Sequence, residues 1–304
     1  MKRNAPSGSS TIGREIKASG VGGKSAPELA SGLYVTATPI GNARDITLRA
    51  LDVLAACDGI VVEDTRVTAK LLAIHGIAKP LFVYNDHNAA RERPKILARL
   101  RSGERLALVS DAGMPLVSDP GFKLVREALS LELPVHVVPG ASASLAGLAL
   151  AGLPTDRFFF AGFLPSRSGE RRHALEELKA IPATLMFFES PQRLGPSLAD
   201  MAEVLGDRAA AVARELTKLH EEVRRGTLAE LARQYARDEP RGEITVLVAP
   251  PGELALDTAR SDALLAKALV FMPVRAAADL VAEALNGSRH AIYERALGMR
   301  RHER

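Results

Sequence analysis

The sequence has a single cysteine, Cys57, among its 304 residues. One thiol excludes an internal disulfide framework and a cysteine-based metal cluster, and so few cysteines fit a reducing compartment. No apolar run comes near the ~20 residues that a membrane-spanning helix needs. Residues 1–32 also lack an apolar core of the signal-peptide type. We therefore expect a cytoplasmic protein that neither crosses a membrane nor is secreted.

Several motifs of nucleotide binding and covalent catalysis are also missing. The chain has no phosphate-binding glycine loop that ends in Lys-Ser/Thr and no Gly-x-Ser-x-Gly turn. A glycine-dense stretch, Gly20–Gly23, follows no strand pattern and so does not predict a dinucleotide site. The seven histidines lack the spacing of metal ligands, so no metal is expected. An enzyme that lacks all of these features is expected to use a reactive cosubstrate. The protein then positions the cosubstrate and sets the local electrostatics around it.

Four short apolar runs, each followed by a loop of turn residues and a helix-like stretch, occupy residues 33–150. The most informative is Leu106–Val109, which leads into a loop containing Asp111, Gly113 and Asp119. The other runs and their loops are 33–37 with Thr38–Asn42, 59–62 with Glu63–Arg66, and 135–138 with Pro139–Ser142. Strands that alternate with helices predict a parallel α/β sheet. Because the carboxyl ends of parallel strands meet at one edge, we expect the four loops to build a single ligand site.

A second α/β unit follows the turn-rich segment 152–157. The predicted strands are 158–163, 184–188, 209–213 and 244–248, and the predicted helices are about 168–180, 191–205 and 227–237. The turn Arg241–Glu243 predicts a hairpin before the last strand. We therefore expect this sheet to be mixed or antiparallel.

Apolar residues at helical spacing across residues 257–304 predict an all-helical appendage. The chain thus divides into a disordered basic tail (1–31), an N-terminal α/β domain (32–152), a C-terminal α/β domain (153–250) and the appendage (257–304).

Positive charge is concentrated at the two ends of the chain. Residues 33–250 carry 27 basic and 27 acidic side chains, whereas residues 1–32 and residues 289–304 each carry five basic and two acidic ones. Basic ends often serve a polyanion such as nucleic acid, although they also aid solubility. The helical appendage likewise fits two roles, a nucleic-acid-docking module or a helical cap on the second domain.

Nine short motifs occur in order along residues 32–250. They are Thr38–Asn42, Glu63–Arg66, Ser110–Pro115, Pro139–Ser142, Leu153–Pro154, Gly162–Pro165, Glu189–Arg193, Ala213–Glu222 and Gly242–Glu243. This series resembles the tetrapyrrole-methylase superfamily, and within it the members that methylate small-subunit ribosomal RNA. The resemblance implies two α/β domains with S-adenosyl-L-methionine in the cleft between them, a fold distinct from the usual methyltransferase sheet.

The resemblance also implies which residues bind the cofactor. They are Pro39, Asp111, Gly113, Met114, Ser142, Ala143, Phe188, Leu216, Ile244 and Thr245. The chemistry of two of them suits this role. The Asp111 carboxylate fits the amino or hydroxyl donors of the cofactor, and Ser142, at a predicted helix start, offers a hydroxyl and free N–H groups.

The implied reaction is methylation of the ribose 2′-hydroxyl of a decoding-centre cytidine in 16S rRNA of the small ribosomal subunit. It needs in-line approach of the hydroxyl oxygen to the methyl group, and help in removing a proton from a weakly acidic alcohol. The candidates for this help are Glu63, Asp64, Glu189, Glu215 and Lys218. Each of them could equally form an ion pair at the surface, so the sequence does not single out a base.

Contacts with RNA are expected from Arg66, Lys218, Arg289 and Arg295, and the resemblance implies a homodimer. Two other functions stay open. One is C-methylation of a precorrin-type tetrapyrrole, and the other is a non-catalytic ribosome-binding protein that keeps the cofactor cleft. The basic ends favour RNA over a porphyrin, and the intact cofactor loops favour an enzyme.

Overall fold

The computed structural model describes residues 28–238, 240–252, 258–285 and 289–302, which form two α/β domains followed by a group of helices. Most of the tail predicted to be disordered, residues 1–27, lies outside the described residues. No helix among the described residues is both long and apolar enough to cross a membrane.

The last residues of the predicted tail belong to the first domain. Leu29 packs against its core, and the carbonyl of Ala30 accepts a hydrogen bond from the Tyr34 hydroxyl at 2.8 Å. The predicted boundary at residue 31 therefore differs from the structure, in which Leu29 and Ala30 contact the first domain.

Five parallel strands form the sheet of the first domain. They are β1 (Gly32–Thr36), β2 (Gly59–Val62), β3 (Leu81–Val83), β4 (Arg105–Leu108) and β5 (Val135–Val138), in the order β3-β2-β4-β1-β5. The predicted parallel sheet is confirmed. The sequence does not reveal β3, because this edge strand has only three residues and none of them is buried, whereas an apolar run of about four is needed for recognition.

Helices connect these strands and cover both faces of the sheet with apolar side chains. They are α1 (Leu48–Ala56), α2 (Thr65–Ile74), α3 (Ala89–Arg101), α4 (Phe122–Ser130) and α5 (Ala143–Ala151). Side chains fix where two of them begin. Thr47 accepts a hydrogen bond from the N–H of Ala50 at the start of α1, and Asp64 accepts one from the N–H of Arg66 at the start of α2. The loops that precede the helices lie together at the carboxyl edge of the sheet.

The second domain has a mixed sheet in the order β6-β7-β10-β8-β9. Its strands are β6 (Phe158–Phe163), β7 (Thr184–Glu189), β8 (Ala209–Arg214), β9 (Glu222–Thr227) and β10 (Ile244–Val248), and its helices are α6 (Ser168–Leu178), α7 (Leu194–Leu205) and α8 (Leu228–Tyr235). Only the β6–β7 pair is parallel among these strands. The largest apolar core lies between this sheet and the three helices.

The hairpin predicted at Arg241–Glu243 is wrong. The element before β10 is α8, and β10 pairs with β7 and β8. The hairpin of this domain is instead β8–β9. The sequence hides β9 because this edge strand carries Glu222, Arg224 and Arg225 and has no apolar run.

Helix α5 joins the two domains. It belongs to the first domain, yet its apolar residues Leu148 and Ala151 pack with Met186, Ala211 and Leu247 of the second sheet. Its sequence, ASLAGLALA, is apolar on every side, as expected of a helix that is covered on more than one face. The second sheet therefore fixes the position of α5. The N-terminus of this helix lies at the carboxyl edge of the first sheet.

Three further helices follow the second domain, α9 (Thr258–Leu269), α10 (Val274–Leu285) and α11 (Arg289–His302). They pack on one another around a core that includes Leu265, Val281 and Ile292. The helical character predicted for this part of the chain is confirmed.

Candidate cofactor cleft and active site

A cleft of about 240 Å³ lies between the carboxyl edge of the first sheet and the second sheet. We call it the cofactor cleft. The loops after β1, β4 and β5 form one wall, and residues at the ends of β6, β7, β8 and β10 form the other. Three of the four loops expected to build a single site thus line the cleft, and a second domain closes it. The fourth, the loop after β2 (Glu63–Arg66), contributes no residue to its lining.

Eight of the ten residues expected to bind the cofactor line this cleft. They are Gly113, Met114, Ser142, Ala143, Phe188, Leu216, Ile244 and Thr245. The other two, Pro39 and Asp111, lie outside its lining. Pro39 precedes Ile40, which does line the cleft. The Asp111 carboxylate faces the loop after β2, where it accepts a hydrogen bond from the N–H of Asp64 at 3.2 Å.

The loop after β4 is held in a shape that brings its backbone close to neighbouring loops. Gly113 has φ +81, and a Cβ on it would lie 3.2 Å from Ile40 Cγ2, so the position suits glycine. Thr38 ties the loop to β1 by donating its N–H to the Gly113 carbonyl at 2.9 Å. Leu116 and Ser118 also have positive φ, which is unusual for side-chain-bearing residues and concentrates at functional sites.

The N-terminus of α5 opens into the cleft. Ser142 is the N-cap residue, but its hydroxyl pairs with the Ser144 hydroxyl at 3.0 Å and makes no capping bond. The first-turn N–H groups of α5 have no side-chain cap and lie next to residues that line the cleft. Such a helix end favours a negatively charged group.

The opposite wall of the cleft is mainly apolar. Phe188 lies edge-on to Phe160, with ring centroids 4.9 Å apart, and contacts Phe163 at 5.6 Å. Phe163 lines the cleft although the sequence did not single it out. Leu216 and Ile244 complete this wall, which suits a flat heteroaromatic group.

Glu189 lines the cleft but is fully engaged by its own domain. Its carboxylate accepts hydrogen bonds from the Ser197 hydroxyl at 2.5 Å and the Ser190 N–H at 2.8 Å. Arg193 Nε lies 3.1 Å from Glu189 Oε1. A buried carboxylate with these partners is suited to holding the end of β7 in place.

Glu215 and Lys218 form a second fixed group beside the cleft. Lys218 Nζ lies 2.7 Å from Glu215 Oε1 and 3.2 Å from Glu243 Oε2. The hydrogen bond from Lys218 holds the pKa of Glu215 below its usual value. The Lys218 side chain covers Gly41, and the N–H of Asn42 donates to the Thr217 hydroxyl at 3.2 Å, so this group also links the two domains.

The loop after β2 carries Glu63, Asp64 and Arg66. Asp64 caps α2 and pairs with Arg66, whose Nε lies 3.0 Å from Asp64 Oδ2. The hydrogen bond from Arg66 lowers the pKa of Asp64 to about 2. Glu63 is half-buried, and its burial followed by the charge of Asp111 raises its pKa. Of the candidate carboxylates, Glu63 is therefore the one whose surroundings favour holding a proton.

Two acids that line the cleft, Asp119 and Glu243, were not among the residues expected at the site. Asp119 lines the cleft, and its burial, together with the nearby charge of Asp111, raises its pKa to about 6. Its sequence context, Ser118-Asp119-Pro120-Gly121, is typical of a turn, and that pattern hides any other role. Among the described residues, no group of three or more His, Cys, Asp or Glu side chains is placed to hold a metal ion.

The basic residues expected to contact RNA occupy different settings. Arg66 is 84% exposed at the carboxyl edge of the first sheet. In the appendage, Arg289 Nε lies 2.7 Å from Asp279 Oδ1, and Arg295 Nη2 lies 2.7 Å from Asp262 Oδ2. Both appendage arginines thus join helices of their own group, and their role towards RNA stays a prediction.

The fold and the cleft together define a class of protein. The family model for tetrapyrrole (corrin/porphyrin) methylases matches residues 32–232, and the model for the RsmI C-terminal HTH domain matches residues 255–300. Among solved structures, uroporphyrin-III-C-methyltransferase from Thermus thermophilus shares the fold, with a TM-score of 0.53 and 21% identity over 72% of this chain and 94% of that one. Diphthine synthase has a TM-score of 0.56 and 19% identity, over 71% of this chain and 89% of its own.

Curated relatives narrow the class. The protein named ribosomal RNA small subunit methyltransferase I from Mesorhizobium japonicum is 51% identical to this chain, over 88% of this chain and 92% of the relative. The protein of the same name from Erythrobacter litoralis is also 51% identical, over 91% of this chain and 98% of the relative. The protein of that name from Escherichia coli O157:H7 is 44% identical, over 87% and 94%. The chain belongs to the tetrapyrrole methylase family and, within it, to the ribosomal RNA small subunit methyltransferase I family.

Proposed function

We propose that this protein uses S-adenosyl-L-methionine to methylate the ribose 2′-hydroxyl of a decoding-centre cytidine in 16S rRNA. Membership of the family supports methylation of small-subunit rRNA, and the solved structure of a Thermus thermophilus uroporphyrin-III C-methyltransferase with the same fold is complexed with S-adenosylhomocysteine. The observation that carries the proposal is the cofactor cleft, because one wall has the uncapped N-terminus of α5 and the opposite wall is mainly apolar.

The residues present fit the cofactor. The uncapped first turn of α5, at Ser142 and Ala143, offers N–H groups for a carboxylate, and the open backbone at Gly113 admits close approach. Phe188, Leu216 and Ile244 offer an apolar wall for the adenine ring. Asp111 acts by joining the loop after β4 to the loop after β2, and Pro39 precedes Ile40 of the cleft lining.

The cofactor, when bound, supplies a methyl group on a positively charged sulfur. The protein has to fix the position of that group, exclude water from it and hold the ribose hydroxyl in line with it. Of the residues expected to aid proton transfer, Glu189, Glu215, Lys218 and Asp64 each have a charged partner that fixes them in place. The fifth candidate, Glu63, has a raised pKa but does not line the cleft. Positioning by the cleft is thus the larger part of the proposed catalysis.

RNA contacts are proposed at Arg66 and Lys218 beside the cleft and at Arg289 and Arg295 in the appendage. Arg66 is the most open of these to a phosphate. The match of the appendage to a helix-turn-helix model supports a nucleic-acid role for it. Because the proposed substrate is part of the small ribosomal subunit, we expect the protein to act in the cytoplasm.

A homodimer is also proposed. The edge strands β5 and β6 expose Val137, Phe158 and Phe159, and α5 exposes Leu145. Contiguous apolar patches commonly mark a protein interface, and we propose that these residues form the dimer contact. Light scattering of the full chain at micromolar concentration should give twice the chain mass, and the mass of one chain would contradict the dimer.

The reaction can be tested with labelled S-adenosyl-L-methionine and three substrates: 30S subunits lacking the modification, naked 16S rRNA, and a precorrin-type tetrapyrrole. We expect label in RNA, at one cytidine whose 2′-O-methyl group blocks alkaline cleavage of the following linkage. Label in the tetrapyrrole would favour the C-methyltransferase alternative. Tight 30S binding without label transfer would favour a non-catalytic ribosome-binding protein.

A further inference from the structure

A second cavity, of about 280 Å³, lies at the same carboxyl edge of the first sheet. We call it the nucleotide pocket. The chain after β3, the start of α3 and the start of α4 enclose it, and none of the residues predicted to bind the cofactor lines it. Asp119 lines both this pocket and the cofactor cleft. The two spaces therefore adjoin at one carboxylate.

The walls of the nucleotide pocket carry three kinds of group. Phe122 offers an aromatic face that is 61% exposed, with the Arg126 guanidinium 5.5 Å from its ring centroid. Arg93 and Lys123 are cationic, and Asp86 and Asp119 are acceptors. Helix α4 begins at Phe122 after Gly121, with no side-chain cap on its first-turn N–H groups. The aromatic face can stack on an unstacked base, and the cations and free N–H groups can bind a phosphate. The carboxylates can accept hydrogen bonds from the amino or hydroxyl donors of a nucleoside.

The surroundings of Asp119 bear on its protonation. Carboxylates approach it from several elements: Asp111 in its own loop, Glu63 after β2 and Asp86 after β3. The cations that share its pocket are Arg93 of α3 and Lys123 of α4, and Glu189 and Glu243 share the cofactor cleft with it. Burial and the charge of Asp111 outweigh a hydrogen bond from the Ser110 side chain and raise the pKa of Asp119 to about 6. At neutral pH the group is thus mostly ionised and a stronger base than an ordinary aspartate.

We propose that the nucleotide pocket holds the nucleotide that is methylated and that Asp119, at its border with the cofactor cleft, accepts the proton of the ribose 2′-hydroxyl. This inference rests on the proposed function. The hydroxyl oxygen forms a bond to the methyl carbon while the carbon–sulfur bond breaks. The electron pair of that bond stays on sulfur and neutralises its charge, and the hydroxyl proton moves to the Asp119 carboxylate and then to solvent.

The pocket is tested with Phe122→Ala, matched by Leu129→Ala at a 59% exposed position of the same helix. Loss of a stacking partner should raise the KM for 30S subunits about tenfold or more. The affinity for S-adenosylhomocysteine and the melting temperature should match those of the Leu129→Ala variant. Equal KM values for the two variants would overturn the assignment of the pocket.

A second measurement does not depend on turnover. Ultraviolet cross-linking of a short RNA hairpin that carries the target cytidine, with S-adenosylhomocysteine present, should place the adduct in peptides covering residues 84–93 or 119–123. Adducts confined to other peptides would contradict the pocket. If the wild-type protein leaves 30S subunits unmethylated, the proposed function fails, and the cross-link still shows whether the pocket takes RNA.

The role of Asp119 is tested with Asp119→Asn, matched by Asp156→Asn at an exposed position that lines neither cavity. The wild-type kcat should fall as pH drops below about 6, because the carboxyl group becomes protonated. Asp119→Asn should lower kcat about 100-fold and abolish that pH dependence. Asp156→Asn should keep the pH profile. A wild-type pH profile in the Asp119→Asn variant would overturn the role of Asp119 in proton transfer.

Discussion

At the residue scale, Glu189 illustrates how a cleft residue can serve structure. Its carboxylate is buried and accepts bonds from Ser197 and Ser190, with Arg193 beside it. We predict that Glu189→Gln lowers the free energy of unfolding by about 1–3 kcal/mol, because a charged acceptor is lost. Methylation by the folded protein should stay close to the wild-type rate. Urea unfolding and a methylation assay measure the two effects.

The matched control for this prediction is Glu170→Gln, since Glu170 forms an exposed pair with Arg167. Such pairs contribute little, so its unfolding free energy should change by less than about 0.5 kcal/mol. If Glu189→Gln instead abolished turnover without any loss of stability, Glu189 would have to be reinstated as the proton acceptor.

The pair Asp58 and Arg105 joins the residue before β2 to the first residue of β4. Arg105 Nη2 lies 2.6 Å from Asp58 Oδ1, and this bond lowers the pKa of Asp58 to about 2. The unfolded value is about 3.9, so the pair stabilises the fold above about pH 4. That contribution is lost as pH falls from about 4 through 2.

We therefore predict that Asp58→Asn is less stable than the wild type at pH 7 and that the difference shrinks between about pH 4 and pH 2. Both side chains are about one-third exposed, so screening by solvent limits the difference to about 1 kcal/mol or less. Urea unfolding at a series of pH values measures it. A stability difference that stays constant down to pH 2 would show that the charge of Asp58 is not the cause.

At the element scale, α5 couples the fold of the second domain to the shape of the cleft. A Cβ on Gly147 would lie 3.2 Å from Thr245 Cγ2 and 3.5 Å from Leu247 Cδ1. We predict that Gly147→Val costs about 1–3 kcal/mol of unfolding free energy through overpacking. It should also weaken cofactor affinity, because α5 carries Ser142 and Ala143 at its N-terminus.

Gly169→Val is the matched control for this effect. Gly169 lies in α6, and a Cβ there would meet no atom within 4 Å. This control variant should keep wild-type cofactor affinity in calorimetry, apart from a small cost in helix propensity. Equal affinities in the two variants would mean that the contact between α5 and the second sheet does not control the cleft.

The same elements show how far the sequence predicts the structure. Strand β2 is predicted with its observed bounds, since a buried parallel strand reads as an apolar run. The short edge strand β3 and the charged edge strand β9 leave no such pattern. The hairpin at 241–243 was wrong because a local turn signal does not reveal which strands pair.

Site prediction fails for a related reason. Gly113 and Ser142 could be expected in the cleft, because loops at the carboxyl edge of a sheet are local features of the chain. Phe163 and Glu243 line it as well, but their placement depends on the packing of one domain against the other. Burial also sets the pKa of Asp119, and burial is a property of the folded chain alone.

At the scale of the whole molecule, the cofactor site and the surplus charge are separate. Residues 33–250 hold the cofactor cleft and are neutral, with 27 basic and 27 acidic side chains, whereas residues 289–304 carry five basic and two acidic ones. The helices of the appendage have a core of their own. The ion pairs Arg289–Asp279 and Arg295–Asp262 brace this unit, which leaves Arg300, exposed on α11, as a clearer candidate for a phosphate contact.

We predict that deletion of residues 257–304 leaves cofactor affinity intact but weakens binding to 30S subunits. Phosphate contacts release counterions, so their loss should also flatten the dependence of binding on salt concentration.

Arg300→Ala should reproduce part of that flattening. Arg275→Ala, on the exposed side of α10, serves as the control for a basic residue of the same appendage. Calorimetry with S-adenosylhomocysteine and 30S binding across a salt series measure both effects. If the truncated protein binds and methylates 30S subunits at the full rate at every salt concentration, the appendage is a helical cap and the RNA contacts lie in the two α/β domains.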